Sequence, residues 1–145
     1  MQAMQGIGEV LGGRKCLGKE ARTAAEMDAL IRQGLPMACA SQVQASLALP
    51  DQSFADFLAV GTRTLLRMRQ EKKKLSVAAG DRLFRLARIV SLAREVLEDQ
   101  AAARNWLCSP QVGLGGKRPL DLMLTEAGCR EVEELLGRLE YGVLA

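Results

Sequence analysis

The chain has 145 residues, a formal net charge of +3, no histidine, and one Trp, one Tyr and three Phe. The missing histidine removes the commonest general base and the most frequent zinc ligand. A core poor in aromatics and in β-branched runs has to be built from Leu, Val, Ile, Met and Ala, without two-residue alternation, and that composition predicts an all-α protein of one large or two small domains.

Cys16, Cys39, Cys108 and Cys129 are widely separated, form no Cys-x-x-Cys pair and have no neighbouring histidine. They read as reduced thiols, and neither a metal nor a cofactor is expected. The amino terminus has no basic, apolar leader pattern and no apolar run reaches membrane-spanning length, so a cytoplasmic location is expected. Charge is uneven: residues 1–98 hold 15 Lys and Arg against 10 acids, residues 99–145 hold 5 against 7. That asymmetry predicts a polyanion partner for the first part and a different partner for the second.

Residues 1–22 are rich in glycine and polar groups and read as a flexible arm. The run Gly6-Ile7-Gly8-Glu9-Val10-Leu11-Gly12-Gly13 has its third glycine misplaced for a dinucleotide loop and no strand before it. Thr23-Ala24-Ala25-Glu26 is a capping box. It opens a helix that carries Met27, Leu30 and Ile31 on one face and stops at Gly34. A second helix buries Met37, Ala40, Val43 and Leu47, and Leu49-Pro50-Asp51 ends it. Ser53-Phe54-Ala55-Asp56 reads as the cap of a short third helix. Gly61 breaks the pattern, and Thr62 is expected to cap a fourth helix through Gln70.

Two short helices joined by a glycine-containing turn form a helix-turn-helix pattern. Arg63, Arg67, Gln70 and Lys74 fall along one face, with Leu65 and Met68 elsewhere. Arg63 to Lys74 contains six positive charges and one negative. Like charges at i,i+4 cost an isolated helix roughly 0.2–0.5 kcal/mol. A polyanion would turn that cost into a gain through counterion release. DNA contact is therefore expected. Arg63 and Thr64, at the start of the helix, are the expected base readers, with Thr62 beside them. Arg67 is assigned to a guanine or to phosphate, Gln70 to the same DNA-facing row, and Arg69, Lys72, Lys73 and Lys74 mostly to the backbone.

Ser76 should cap a long helix to about Glu98, with Leu83, Leu86, Val90, Ala93 and Leu97 in a continuous row. Arg82, Arg85 and Arg88 recur on its polar side, as salt-bridge partners first and phosphate contacts second. A domain boundary is expected near Leu75, giving 23–75 as the helix-turn-helix domain and 76–145 as a second domain. Asp99 starts a short helix holding Trp106 and Leu107. Gly113-Leu114-Gly115-Gly116-Lys117 resembles part of a phosphate loop, but the spacing to the first glycine is short, Arg118 stands where Ser or Thr would bind magnesium, and no strand leads in. Pro119 suits a first helical position. In the next five residues only Asp121 separates Leu120 from Leu122, Met123 and Leu124. So short a helix needs a partner surface, either this chain's core or another protein. A last helix, about Glu126 to Glu140, has Val132, Leu135, Leu136 and Leu139 inside and i,i+4 pairs Glu126–Arg130 and Glu134–Arg138. Glu131, Glu133 and Glu134 lie on its solvated side. No nucleophile has an activating base, so no enzymatic activity is expected.

Several of these residues occur together in one known pattern. Arg82-Leu83, Arg85-Leu86-Ala87-Arg88, Ala103-Arg104-Asn105-Trp106-Leu107, Ser109-Pro110, Leu114 to Leu122, Thr125-Glu126-Ala127-Gly128, Val132 to Glu140 and Gly142-Val143 follow one another in order. Over about residues 77–145 the chain closely resembles the Xre/MbcA/ParS toxin-binding domain of type II toxin–antitoxin systems. Upstream, Gly61-Thr62-Arg63-Thr64-Leu65-Leu66-Arg67 with Leu75-Ser76 resembles the family's Xre-type helix-turn-helix more loosely. The resemblance implies an antitoxin that binds a cognate RES-domain toxin, an NAD-consuming enzyme, and blocks its active site. It also implies a repressor of its own operon that binds operator DNA as a homodimer or larger assembly. A stand-alone repressor whose C-terminal domain only dimerises is the alternative. Leu114, Gly115, Gly116, Arg118, Pro119, Leu120, Leu124, Arg138, Tyr141, Gly142, Val143 and Leu144 are the expected toxin contacts. Lys117 departs from the family's usual Arg or other polar residue and is assigned no contact.

Overall fold

A computed structural model of the chain describes residues 4–142. It is all-α among those residues, apart from one isolated antiparallel bridge between Gln111 and Lys117. The chain divides into two compact units, Met1–Ala87 and Arg88–Ala145. The division falls inside a long helix, not near Leu75.

The N-terminal unit begins with α1 (Met4–Val10) and α2 (Gly13–Leu17). Ile7, Val10, Leu11, Leu17 and Ala21 are buried, and α2 packs against α4 (Met37–Leu47). The expectation of a flexible arm over 1–22 is therefore corrected for the described residues. Ile7, Val10 and Leu11 stand at i, i+3 and i+4, but five glycines between Gly6 and Gly18 hid that spacing. Glycine lowers intrinsic helicity, and burial of a short apolar face overrides it.

Helix α3 (Ala24–Gln33) starts as expected, with the Glu26 amide donating to Thr23 Oγ1 at 3.1 Å. The Glu26 carboxylate reaches back to the Arg22 amide, at 3.4 Å, one residue earlier than in an ideal capping box. Helix α4 buries the expected row of Met37, Ala40, Val43 and Leu47. Helix α5 (Asp51–Leu58) begins two residues before Ser53 and has Pro50 at its N-cap. The extended backbone required ahead of Pro50 already ends the preceding segment, so Ser53 lies inside the helix and does not cap it. Helix α6 (Thr62–Glu71) has Gly61 as its N-cap, which makes Thr62 the first helical residue.

Helix α7 (Val77–Leu97) is capped by Ser76, whose hydroxyl accepts from the Ala79 amide at 3.1 Å. Leu83, Leu86, Val90 and Ala93 are buried along it. In the second unit, α8 (Gln100–Cys108) is capped by Asp99 through the Ala102 amide at 2.8 Å. A single 3-10 turn, Val112–Leu114, leads to α9 (Pro119–Leu122), with Pro119 at the expected first position. Helix α10 (Glu126–Glu140) is capped by Thr125 and buries Val132, Leu135 and Leu136. Gly128 in its first turn allows α10 to meet the end of α9: a Cβ there would overlap the Leu122 carbonyl oxygen. Cys16, Cys39, Cys108 and Cys129 form no disulfide, and burial together with nearby Cys16 pushes the Cys39 thiol up to about 12.

Candidate functional site

The first surface is built on α5 and α6, which pack on each other and, for α6, on α4. The connecting turn takes its left-handed residue from Ala59, with φ of 57°, while Gly61 is extended with φ of −71°. The sequence placed the helix break at Gly61, as found, and the cap at Thr62, whereas Gly61 itself is the N-cap. A Cβ at Gly61 would approach only Thr64 Oγ1, at an ordinary 3.9 Å.

Leu65 is fully buried and anchors α6, while Arg63, Leu66, Arg67 and Gln70 are exposed and Thr62 and Thr64 are half-buried. The exposed four lie at i, i+3, i+4 and i+7, the stripe that a 3.6-residue period places on one face. Lys72, Lys73 and Lys74 follow, all exposed; Lys73 forms a surface pair with Glu71 at 3.2 Å. Arg69 is placed differently. Its Nη2 donates to Gln44 Oε1 at 2.7 Å and to Asp51 Oδ1 at 3.1 Å. Gln44 Nε2 in turn donates to the same Asp51 oxygen at 2.7 Å and to the Leu49 carbonyl at 3.0 Å. The Gln44 amide, and then Arg69, hold the Asp51 carboxyl below its usual range. Arg69 thus ties α6 to α4 and to the start of α5, a positioning role that its cationic neighbours concealed in the sequence.

The second surface is on the C-terminal unit. The segment after α8 is a tightly bonded loop. The Gln111 amide donates to the Lys117 carbonyl at 3.0 Å, and the Gly116 amide donates back to the Gln111 carbonyl at 2.9 Å. The Gln111 side chain reaches the Trp106 carbonyl at 2.9 Å and that of Ser109 at 3.2 Å. Gly115 and Gly116 have φ of 66° and 81°, and added Cβ atoms would meet nothing within 4 Å. Their glycine requirement is conformational. Arg118 and Asp121 form a two-bond ion pair at 2.8 and 3.0 Å, which lowers the Asp121 carboxyl and raises the Arg118 guanidinium.

Burial divides the residues expected to meet a toxin. Leu114, Pro119 and Leu120, named among the expected contacts, are buried in the unit's own core, together with Met123. The 3-10 turn and α9 pack on α10, and α8 packs on α9, with these side chains supplying apolar volume. Gly115, Gly116, Arg118, Leu124, Arg138, Tyr141 and Gly142 are exposed. Val143 and Leu144 lie outside the described residues. Val112, which sequence reading passed over, is 90% exposed at the loop's 3-10 turn. Its signal was an apolar residue beside glycine in a loop, which carries no period.

Arg88 binds Glu133 at 2.7 Å and Glu126 at 3.3 Å, joining the start of this unit to α10. Glu126 therefore pairs across elements and not with Arg130, and Glu133 is not simply solvated. Among the described residues no group of three or more acids and cysteines has metal-site geometry. No helix there is long and apolar enough to cross a membrane.

The described residues thus comprise a helix-turn-helix unit followed by a compact helical unit with an exposed, internally hydrogen-bonded loop. Residues 26–88 match the Antitoxin Xre-like helix-turn-helix domain, and residues 92–142 match the Antitoxin Xre/MbcA/ParS C-terminal toxin-binding domain. The chain belongs to the Xre-type antitoxin family, as its sequence motifs implied. It is 28% identical to an Antitoxin Xre of Yersinia enterocolitica over 79% of this chain and 78% of that one. It is 34% identical to an Antitoxin Xre of Pseudomonas putida over 55% of this chain and 50% of the relative. A Prs ADP-ribosylating antitoxin of Sphingobium is 24% identical over 80% of this chain and 79% of its own.

Proposed function

We propose that this antitoxin neutralises a RES-domain, NAD-consuming toxin by covering its active site, and represses its own operon through α6. The observation that carries the repressor half is the exposed Arg63–Arg67–Gln70 stripe, presented by a helix whose opposite side is anchored by buried Leu65. A helix held this way offers its first residues to base edges, while the lysines beyond its end hold phosphates. Arg69 acts behind this surface, fixing the tilt of α6 through Asp51 and Gln44.

The inhibitor half is supported by the loop between Gln111 and Lys117. Its internal hydrogen bonds mean that little ordering entropy is lost on binding. Gly115, Gly116, Arg118, Leu124, Arg138 and Tyr141 provide a mixed apolar and cationic surface, and Val143 and Leu144 extend it in sequence. A cationic contact suits an active site that receives the pyrophosphate of NAD. The Sphingobium relative is named for ADP-ribosylation, a chemistry that also consumes NAD.

Co-expression with a RES-domain toxin from the same genome, alongside footprinting of this chain's own promoter, tests both halves. The expected outcome is rescued growth, restored cellular NAD, co-purification of the pair and protection of the operon promoter in footprinting. Growth arrest with undiminished NAD in cells expressing the toxin alone would overturn the RES assignment. An unprotected promoter would overturn the repressor assignment.

A further inference from the structure

Leu66 is 43% exposed in the middle of a stripe otherwise made of Arg63, Arg67 and Gln70. The apolar needs of α6 are met on other sides by fully buried Leu65 and half-buried Met68, so packing does not call for a leucine there. Intrinsic helicity does not call for it either, since Leu, Arg, Lys and Gln are nearly equivalent in a helix. At 100° per residue, Arg63, Leu66, Arg67 and Gln70 fit within an arc of roughly 100°, so anything that covers the cations also covers Leu66.

The charge around it selects the occupant. Two arginines flank Leu66 in the stripe, and Lys72, Lys73 and Lys74 follow the helix. This is a surface for a polyanion. A duplex major groove presents mostly hydrogen-bonding groups on its base edges, and its one apolar group is the thymine C5-methyl. We propose that Leu66 is a specificity-determining residue that packs on a thymine methyl in the operator, beside bases or phosphates held by Arg63 and Arg67. The inference rests on α6 being the recognition helix. It adds a direct sequence requirement: Leu66 lies about 4.5 Å along the axis from Arg63 and about 1.5 Å from Arg67. With base pairs about 3.4 Å apart, the thymine falls within one or two steps of the arginine-contacted bases.

The test uses the full-length protein and its promoter duplex, narrowed to the protected segment by footprinting. Each thymine in turn is replaced by deoxyuridine, which removes only the C5-methyl. Wild-type protein should lose about fourfold in affinity at one thymine per half-site, the equivalent of one buried methyl group. Leu66→Ala should bind thymine and uracil duplexes equally at that position, while its thermal melt and toxin neutralisation match wild type. Uniform indifference to uracil, or a loss that persists unchanged in Leu66→Ala, overturns the proposal. A change in oligomer mass in Leu66→Ala with uracil discrimination intact would assign Leu66 to a protein contact, and also overturns it. If wild-type protein protects no promoter DNA, the recognition-helix reading itself falls.

Discussion

Two glycines in α10 should respond to alanine with opposite signs. Gly137 lies inside the helix, and a Cβ there would meet nothing within 4 Å. Alanine at Gly137 should therefore stabilise the protein by up to about 1 kcal/mol, the difference in helix propensity. The same intrinsic gain is available at Gly128, but there the added Cβ would overlap the Leu122 carbonyl oxygen and crowd Thr125 Oγ1 at 3.1 Å. The obstacle is backbone, so relief requires α9 and α10 to move apart. Overpacking of this kind costs typically about 1–3 kcal/mol, and a backbone obstacle belongs at or beyond the upper end. Net of propensity, Gly128→Ala should lose about 2 kcal/mol. In a domain below 100 residues each kcal/mol shifts Tm by about 4–8 °C, so the C-terminal unit should melt roughly 8 °C lower or more. Calorimetry of the two variants beside wild type measures both signs. A Gly128→Ala protein that melts at or above wild type would refute the close approach of α9 and α10.

Arg63→Ala with Arg67→Ala should abolish operator binding while toxin neutralisation persists. A single Arg67→Ala should reduce the slope of log K against log salt by about 0.9 if it holds one phosphate, as read from a salt titration. Val112→Asp should weaken the toxin complex at least about tenfold by calorimetric titration, since a rigidly presented valine is worth about 1.5 kcal/mol or more when buried. Unchanged affinity would remove the loop tip from the interface. Asp51 has a folded-state pKa below its unfolded one, so its contribution is complete above the usual carboxylate range and is lost as pH falls through the lowered value. The melting difference between wild type and Asp51→Asn should accordingly shrink on acidification. A difference that widened toward acid would exclude Asp51 as the charged partner of Arg69.

Sequence by itself determined the helical class, the caps at Thr23, Ser76 and Asp99, and the inner row of α4, because these depend on local hydrogen bonding and on a 3.6-residue period. It also marked the cationic α6 and, through ordered motifs, the family. Other features depended on contacts between residues distant in the chain. Burial of Ile7, Val10 and Leu11 against the N-terminal core turned a glycine-rich arm into helices, a gain that no local propensity reports. Arg69 was indistinguishable from its cationic neighbours until Gln44 and Asp51, 25 and 18 residues away, were brought to it. The stretch from Leu114 to Leu124 shows the division most plainly. Its need for a partner surface was legible, but only packing against the rest of its own unit could assign Leu114, Leu120 and Met123 to the core and leave Leu124 exposed, with Val112 outside just before it. Periodicity fails in a loop and in a one-turn helix, so the inward and outward faces there are set by tertiary closure alone.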